Sequence, residues 1–438
     1  MRNFVLMVAR LMAGVLASFP IILAIVVSRL RARPGIPRLV WGPIPIISNK
    51  YWSNAMRAAN YTSETVMYPN YRINQASDFD VHIHQLVRLP IIGRYIGVLF
   101  GPYLAFMYAL WNFEIFHHPI SGGFLGHTPL WRLESLFLRW ARKKVVILPY
   151  GGDLYMYSKV LDPCLRHALL LSYPLAALKE KEIERRVCYW VEHADVMIPF
   201  FQIDGLGRWD MLPFSIVTID TDLWNRKNDY SYHDGISGAV RLIHTPNHRG
   251  FKGTEFLIAA VDELRAEGLR IDLILLEGVP NDEIRRIMEE EADILAEQFI
   301  ATAYAMSAIE GMAVGLPVLS NLGNETYTRL FRRYSYLNEC PILSTTPENL
   351  KENLRVLITQ PDVRESLGRA GREYVEKYHS VESAQYIFGS IYDKIYHGKD
   401  VDLMNLFHPL KAEYNKRRAF INHPLVENKF PVGRSQKC

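Results

Sequence analysis

"ATAYAMSAIEGMAVGLPVLSN", residues 301–321, reads as a loop, a short helix, a tight stop and a buried strand. Ser307 stands at an N-cap position and Glu310 follows three residues later, the spacing of a capping box. Gly315 supplies the residue after the helix, and Pro317 forbids its continuation. A loop entering a helix N-terminus presents unpaired backbone N–H groups and the positive end of the helix dipole, which suits a phosphate. A carboxylate beside such a site fits a ligand that also carries sugar hydroxyls, because it accepts from their O–H groups. A nucleotide diphosphate has both parts. The capping box alone also accounts for Ser307 and Glu310, so both readings of the pair stand.

Outward from this stretch, strands alternate with helices. "VRLIHTPN", "IDLILLEG", "ADILAEQF", "LPVLSNL" and "CPILST" read as strands. Residues 253–267, "NDEIRRIMEEE", 347–358 and 361–378 read as helices, and "VESAQYIFGSIYDKIY" as a last amphipathic one. Such alternation implies a parallel sheet with right-handed crossovers. "HTPNHRGFKGTEF" places Arg249 and Lys252 in a loop between strand and helix, where two cations suit a diphosphate leaving group. A solvated basic loop is the plainer reading. Glu277 ends the strand in "LLEGVPNDE".

Upstream, "PRLVWG", a loop and the helical "KYWSNAMRAAN" form a β-α unit of Rossmann-like type. The loop "GPIPIISN" is not G-x-G-x-x-G and argues against a dinucleotide cofactor. "TSETVMYP", "FEIFHHPI" and "KKVVILPYGGDL" are further strands, the last running into a Gly-Gly-Asp turn where open α/β sheets bind ligands. A helical region covers 163–192, followed by "ADVMIPF" and the run "LPFSIVTIDTDLW", read as ending a strand. His117 and His118 lie at a strand end, and Asp153 could orient or deprotonate an acceptor hydroxyl or simply hold its turn. His82 and His84 have an H-x-H spacing without a third metal ligand nearby. Residues 86–111 are a long apolar helix containing Arg88 and Arg94, expected in the core or at a membrane surface, with a second membrane span as the alternative.

The 438 residues suffice for two domains, and 49% hydrophobic against 22% charged residues excludes a disordered chain. A net charge of +4 does not argue for nucleic acid. Cys164, Cys188, Cys340 and Cys438 show no metal spacing and read as reduced cytosolic thiols. Residues 4–27 are apolar apart from Arg10 and Ser18, and about 24 helical residues span roughly 36 Å, enough for a bilayer. Arg29, Arg31, Arg33 and Arg38 follow, so the expected topology is a single N-terminal span with the rest cytoplasmic. The rivals are a cleaved signal peptide, though no A-x-A site follows, and a helix that lies on a surface or is buried. The expected organisation is an anchor (1–33), a first domain (34–215), a linker (216–236), a second domain (237–380), a closing helix (381–398) and a basic tail (399–438), the last solvated or on a membrane.

The pattern S-x-x-E-x-M-A-x-G-x-P-V at 307–318 resembles the donor-site helix of family 4 glycosyltransferases (group 1 type), which have the GT-B fold. The resemblance runs over roughly residues 38–396 and is strong in the second domain. It implies two Rossmann-like domains facing a cleft, the first taking the acceptor and the second a nucleotide sugar. It implies that Glu310 holds the ribose, with Ser307 and Gly311 beside the donor. Arg249 and Lys252 would hold the phosphates, Glu277 would pack by the nucleoside, and His118 would face the donor sugar. One departure is plain: family members often carry E-x7-E, and Thr302 stands where the first Glu would be.

The expected function is transfer of a sugar, with retention, from a nucleotide diphosphate sugar to a glycan acceptor, lipid-linked, at a membrane. No cofactor and no metal are expected, the "DTD" at 220–222 being linker. Two alternatives remain: another GT-B enzyme such as a nucleotide-sugar epimerase, and a catalytically silent membrane-bound homologue that binds partners.

Overall fold

Strands such as Leu39–Trp41, buried at every position, belong in parallel sheets covered by helices on both faces. The computed structural model, which describes residues 2–69, 75–86, 93–201 and 203–431, contains two such sheets. The first is built from β1 (Leu39–Trp41), β2 (Ser63–Met67), β3 (Val81–His82), β4 (Ile115–His118), β5 (Lys144–Ile147) and β6 (Val196–Met197). Their order is β3-β2-β1-β4-β5-β6, all parallel, with Leu39 opposite Ser63 on one side and Ile115 on the other. The second holds β7 (Val240–His244), β8 (Ile271–Leu275), β9 (Ile294–Gln298), β10 (Val318–Ser320) and β11 (Leu343–Ser344), in the order β11-β10-β9-β7-β8 and again parallel. Parallel neighbours require crossovers, and the sequence supplies them as helices such as Ile47–Ala58 and Thr254–Ala266.

The chain divides into two compact units. One comprises Met1–Met156, Lys179–Met211 and Ala384–Leu403; the other comprises Tyr157–Leu178, Leu212–Ser383 and Met404–Cys438. Two exchanges depart from the linear boundaries expected above. Tyr157–Leu178 joins the second unit, because the helix Pro163–Ser172 packs beside Arg249–Lys252, with the Tyr173 and His248 rings 4.5 Å apart. Ala384–Leu403 joins the first, where Phe388 meets the Trp41 ring edge-on and Tyr392 Oη lies 2.9 Å from His117 Nε2.

Other expectations need correction. The helical region 163–192 is broken into Pro163–Ser172, Pro174–Ala177 and Glu180–His193, since Pro174 cannot donate within a continuous helix. Residues 212–224 form no strand. Phe214, Ile216, Ile219 and Trp224 are buried by packing, and the run finds no ladder neighbour. The basic tail is not a solvated arm. Phe407, Tyr414, Ile421 and Leu425 are buried, and Asn428 Nδ2 donates to the Cys340 and Ile342 carbonyls; residues 432–438 lie outside the described part. Residues 87–92 of the apolar stretch 86–111 also lie outside it. The remainder forms the helix Gly93–Asn112, which puts Tyr103, Phe106, Ala109 and Leu110 in the core. Residues Arg2–Leu30 are one helix, whose segment Met7–Leu30 is long and apolar enough to cross a membrane.

Candidate functional site

Three strand ends of the second sheet carry the cations and acids singled out in the sequence. After β7 the chain makes the four-residue helix Arg249–Lys252, stopped by Gly253 at φ 79°, a left-handed conformation that glycine adopts without strain. This tight turn sends Lys252 inward. Its Nζ donates to Glu297 Oε1 at 2.5 Å and to Gln298 Oε1 at 3.1 Å, both at the end of β9. Glu297 is a buried hub: it also accepts from Ser320 Oγ at 2.7 Å and from Ser307 Oγ at 3.3 Å.

Ser307 therefore does not cap its helix. The helix is Met306–Ala313 with Ala305 at the N-cap and no side-chain cap, which corrects the capping-box reading. A buried carboxylate is a stronger acceptor than a solvated one, so it draws the Ser307 hydroxyl. Glu310 points inward too, and its Oε1 accepts from Asn281 Nδ2 at 2.9 Å. The helix stops as expected at Gly315, φ 86°. Gly311 has a packing reason, because a Cβ there would lie 2.4 Å from Leu295 Cδ2.

Arg249 lies at the rim, 41% exposed. It joins Glu255 through Nε at 2.8 Å and Glu277 through Nη1 at 3.1 Å. Burial pushes the Glu310 carboxyl up to about 7, against the pull of the Asn281 amide and the Lys252 charge. Burial pushes His244 down to about 4; its Nδ1–H donates to the Ala296 carbonyl at 2.7 Å, so its Nε2 accepts from Thr254 Oγ1 at 2.9 Å. Thr302 is buried with its hydroxyl unpartnered. Lys252, Ser307, Glu310, Gly311, Arg249 and Glu277 thus gather at the carboxyl ends of β7, β8 and β9, where open α/β sheets take ligands. Chemically, the edge offers two cations that an anion can recruit from their carboxylates, and an acid able to accept hydroxyl protons.

The first unit contains the other two predicted residues. His118 Nδ1 donates to the Gly42 carbonyl at 2.8 Å, which leaves Nε2 as a bare acceptor facing Glu134 Oε1 at 3.8 Å. Burial lowers His118 to about 4 and raises Glu134 to about 8, against the amides of Gly123–Leu125. Gly123 makes room for the pair: a Cβ there would lie 2.2 Å from Glu134 Oε1 and 2.6 Å from His118 Nε2. Asp153 holds its turn. Its oxygens accept from the amides of Tyr150 at 3.0 Å and Ile120 at 2.8 Å, and burial raises it to about 6. His82 Nε2 donates to the Ala76 carbonyl at 2.9 Å, and among the described residues no group of three metal-type side chains assembles.

Glu297, Asn281 and Glu134 were missed by the sequence reading. Only Glu297 left a signal, as an acid inside the otherwise buried run "ILAEQF", which demands a partner.

No protein-family model matches the chain, and no curated protein does. Among solved structures, HepE of Anabaena in complex with UDP is similar at TM-score 0.50 and 12% identity, over 81% of this chain and 99% of that one. The putative UDP-N-acetylglucosamine 2-epimerase from Listeria monocytogenes has a TM-score of 0.49 and 11% identity, over 85% and 100%. The chain has the GT-B fold, an α/β architecture with two parallel sheets preceded by an apolar helix.

Proposed function

We propose that this protein is a glycosyltransferase that moves a sugar from a nucleotide diphosphate sugar to a glycan acceptor, lipid-linked and presented at a membrane. The observation that carries the reading is the gathering of Lys252, Arg249 and Glu310 on one edge of one sheet, although 58 residues (310 − 252) separate Lys252 from Glu310. The pattern at 307–318 and the UDP held by HepE support a nucleotide as the ligand of that edge.

Glu310 accepts from ribose hydroxyls, an interaction made in ground and transition state alike. Arg249 and Lys252 face the diphosphate, whose charge grows as the glycosidic bond breaks. Glu277 and Glu297 hold these cations in place until the phosphates compete for them. The transfer retains configuration. The work is done on the cytoplasmic side, with the N-terminal helix at the membrane.

The test is nucleotide release from a panel of nucleotide sugars, first ranked by thermal shift. Release that requires a glycan lipid is the expected result. Release accompanied by conversion of the sugar nucleotide itself would mean epimerisation. Failure of every nucleotide sugar to stabilise the fold would overturn the reading.

A further inference from the structure

One face of the N-terminal helix is already taken. Ala13, Ala17, Ile21 and Ile25 are buried in the core of the first unit, at the spacing of a single helical stripe. Ser28 Oγ donates to the Leu110 carbonyl at 2.9 Å, and Gly14 lies against Tyr103, whose Oη would be 3.2 Å from a Cβ. The pinning continues past the helix. Arg31 donates to the Trp111 carbonyl at 2.6 Å with its guanidinium 4.5 Å over that ring, and Arg33 donates to the Arg142 carbonyl at 2.9 Å. The helix is thus fastened along the unit from residue 13 onward.

Its other face is apolar and bare. Leu11, Val15, Phe19, Leu23 and Leu30 are exposed, Val15 and Phe19 by about three quarters (75% and 76%). No charged residue interrupts the span between Arg10 and Arg29. Trp111 and Trp140, 46% and 47% exposed, are amphipathic rings of the kind found at headgroup level, and the helix Glu134–Trp140 packs beside the N-terminal one. Residues 1–63 contain no Asp or Glu; Arg38, Lys50 and Arg57 pair with Glu114, Asp78 and Asp80, and the cations along the helix and just past it are Arg2, Arg10, Arg29, Arg31 and Arg33.

We infer that the helix lies in the plane of an anionic membrane, its outer face in one leaflet, and does not cross the bilayer. A helix standing across the bilayer would have to abandon the contacts of Ala13, Ala17, Ile21, Ile25 and Ser28. Lying flat keeps them and covers the exposed face with acyl chains, while the arginines meet lipid phosphates. The apolar length alone does not distinguish the two arrangements; the occupied face does.

The experiment uses the full chain with Cys164, Cys188 and Cys438 changed to Ser, Cys340 being buried and unreactive. Nitroxide labels are placed one at a time through Leu11→Cys, Val15→Cys, Phe19→Cys and Leu23→Cys, all exposed positions. Depth is read by power saturation on vesicles of phosphatidylcholine with phosphatidylglycerol. The expected result is one shallow depth for all four labels. Replacing phosphatidylglycerol by phosphatidylcholine, or introducing Arg10→Glu with Arg29→Glu, should weaken binding about tenfold or more. A depth that peaks near residue 19 and falls toward both ends would mean a spanning helix and overturn the inference. Labels that stay in water on vesicles, or that pair in a stable lipid-free dimer, would overturn it as well. None of these readouts depends on the sugar-transfer reading.

Discussion

Lys252 Nζ and Glu297 Oε1 lie 2.5 Å apart with both side chains buried, 8% and 0% exposed. The cation expected to meet a diphosphate is therefore held by an acid at the penultimate residue of β9, which also accepts from Ser307 and Ser320. In the donor reading, a ligand phosphate would share Lys252 with Glu297, which would tie donor binding to the stability of the second unit.

Breaking that pair from one side should be costly. Lys252→Met leaves a buried uncompensated carboxylate and should destabilise the protein by about 3–5 kcal/mol, whereas Lys252→Met with Glu297→Gln should cost less than that single change. Urea denaturation of both reads the difference. In the donor reading, the double variant also raises the barrier to transfer by about 2–4 kcal/mol while folding normally. A double variant with full turnover would free Lys252 of any catalytic duty.

Glu310→Gln should weaken nucleotide binding by about 1.5–3 kcal/mol, because one of its two carboxylate acceptors becomes an amide donor. The ribose hydroxyls favour the ionised form of an acid whose folded value is about 7. Binding near neutral pH should therefore release a proton, seen in calorimetry as an enthalpy that depends on the buffer. Unchanged affinity together with no proton release would reduce Glu310 to a partner of Asn281.

Stability should fall as pH rises from about 4.5 to about 8. Glu134 and Glu310 have folded values of about 8 and about 7, raised by burial from 4.5. Each binds more protons folded than unfolded, so its contribution is complete below about 4.5 and is lost as pH climbs through the folded value. Glu134→Gln should flatten the decline between about pH 4.5 and about 8 and leave the curve below that range unchanged. Melting temperatures across that range, equally steep in both proteins, would contradict the raised value of Glu134.

Gly123→Ala should cost about 1–3 kcal/mol, since its Cβ would fall 2.2 Å from Glu134 Oε1 and 2.6 Å from His118 Nε2, two buried groups that cannot retreat into solvent. Chemical denaturation measures it, and a loss below about 0.5 kcal/mol would show that the pair yields to the added methyl.

In the glycosyltransferase reading, transfer should survive EDTA. Asp220, the first acid of "DTD", uses Oδ1 to accept from the amides of Asp222 at 3.0 Å and Leu223 at 3.3 Å, so it caps its own turn. Loss of turnover that Mn²⁺ or Mg²⁺ restores would show that a divalent ion takes part.

What the sequence by itself determined is local and periodic. The parallel α/β character, the strands "VRLIH" and "IDLIL", the stop at Gly315 and the loop position of Arg249 and Lys252 after a strand all follow from residue spacing and turn chemistry. Tertiary structure decided whatever depends on a partner distant in the chain. Ser307 and Glu310 have capping-box spacing, yet each found a better partner: Glu297, ten residues away, and Asn281, 29 away. The tail has a solvated composition, yet Asn428 seals the Cys340 and Ile342 carbonyls. The N-terminal helix has the composition of a span, yet Ala13, Ala17, Ile21 and Ile25 are packed on the Rossmann-like unit beside it. In each case a buried polar atom or apolar stripe must be matched from across the fold, and local pattern does not record which residues will match it.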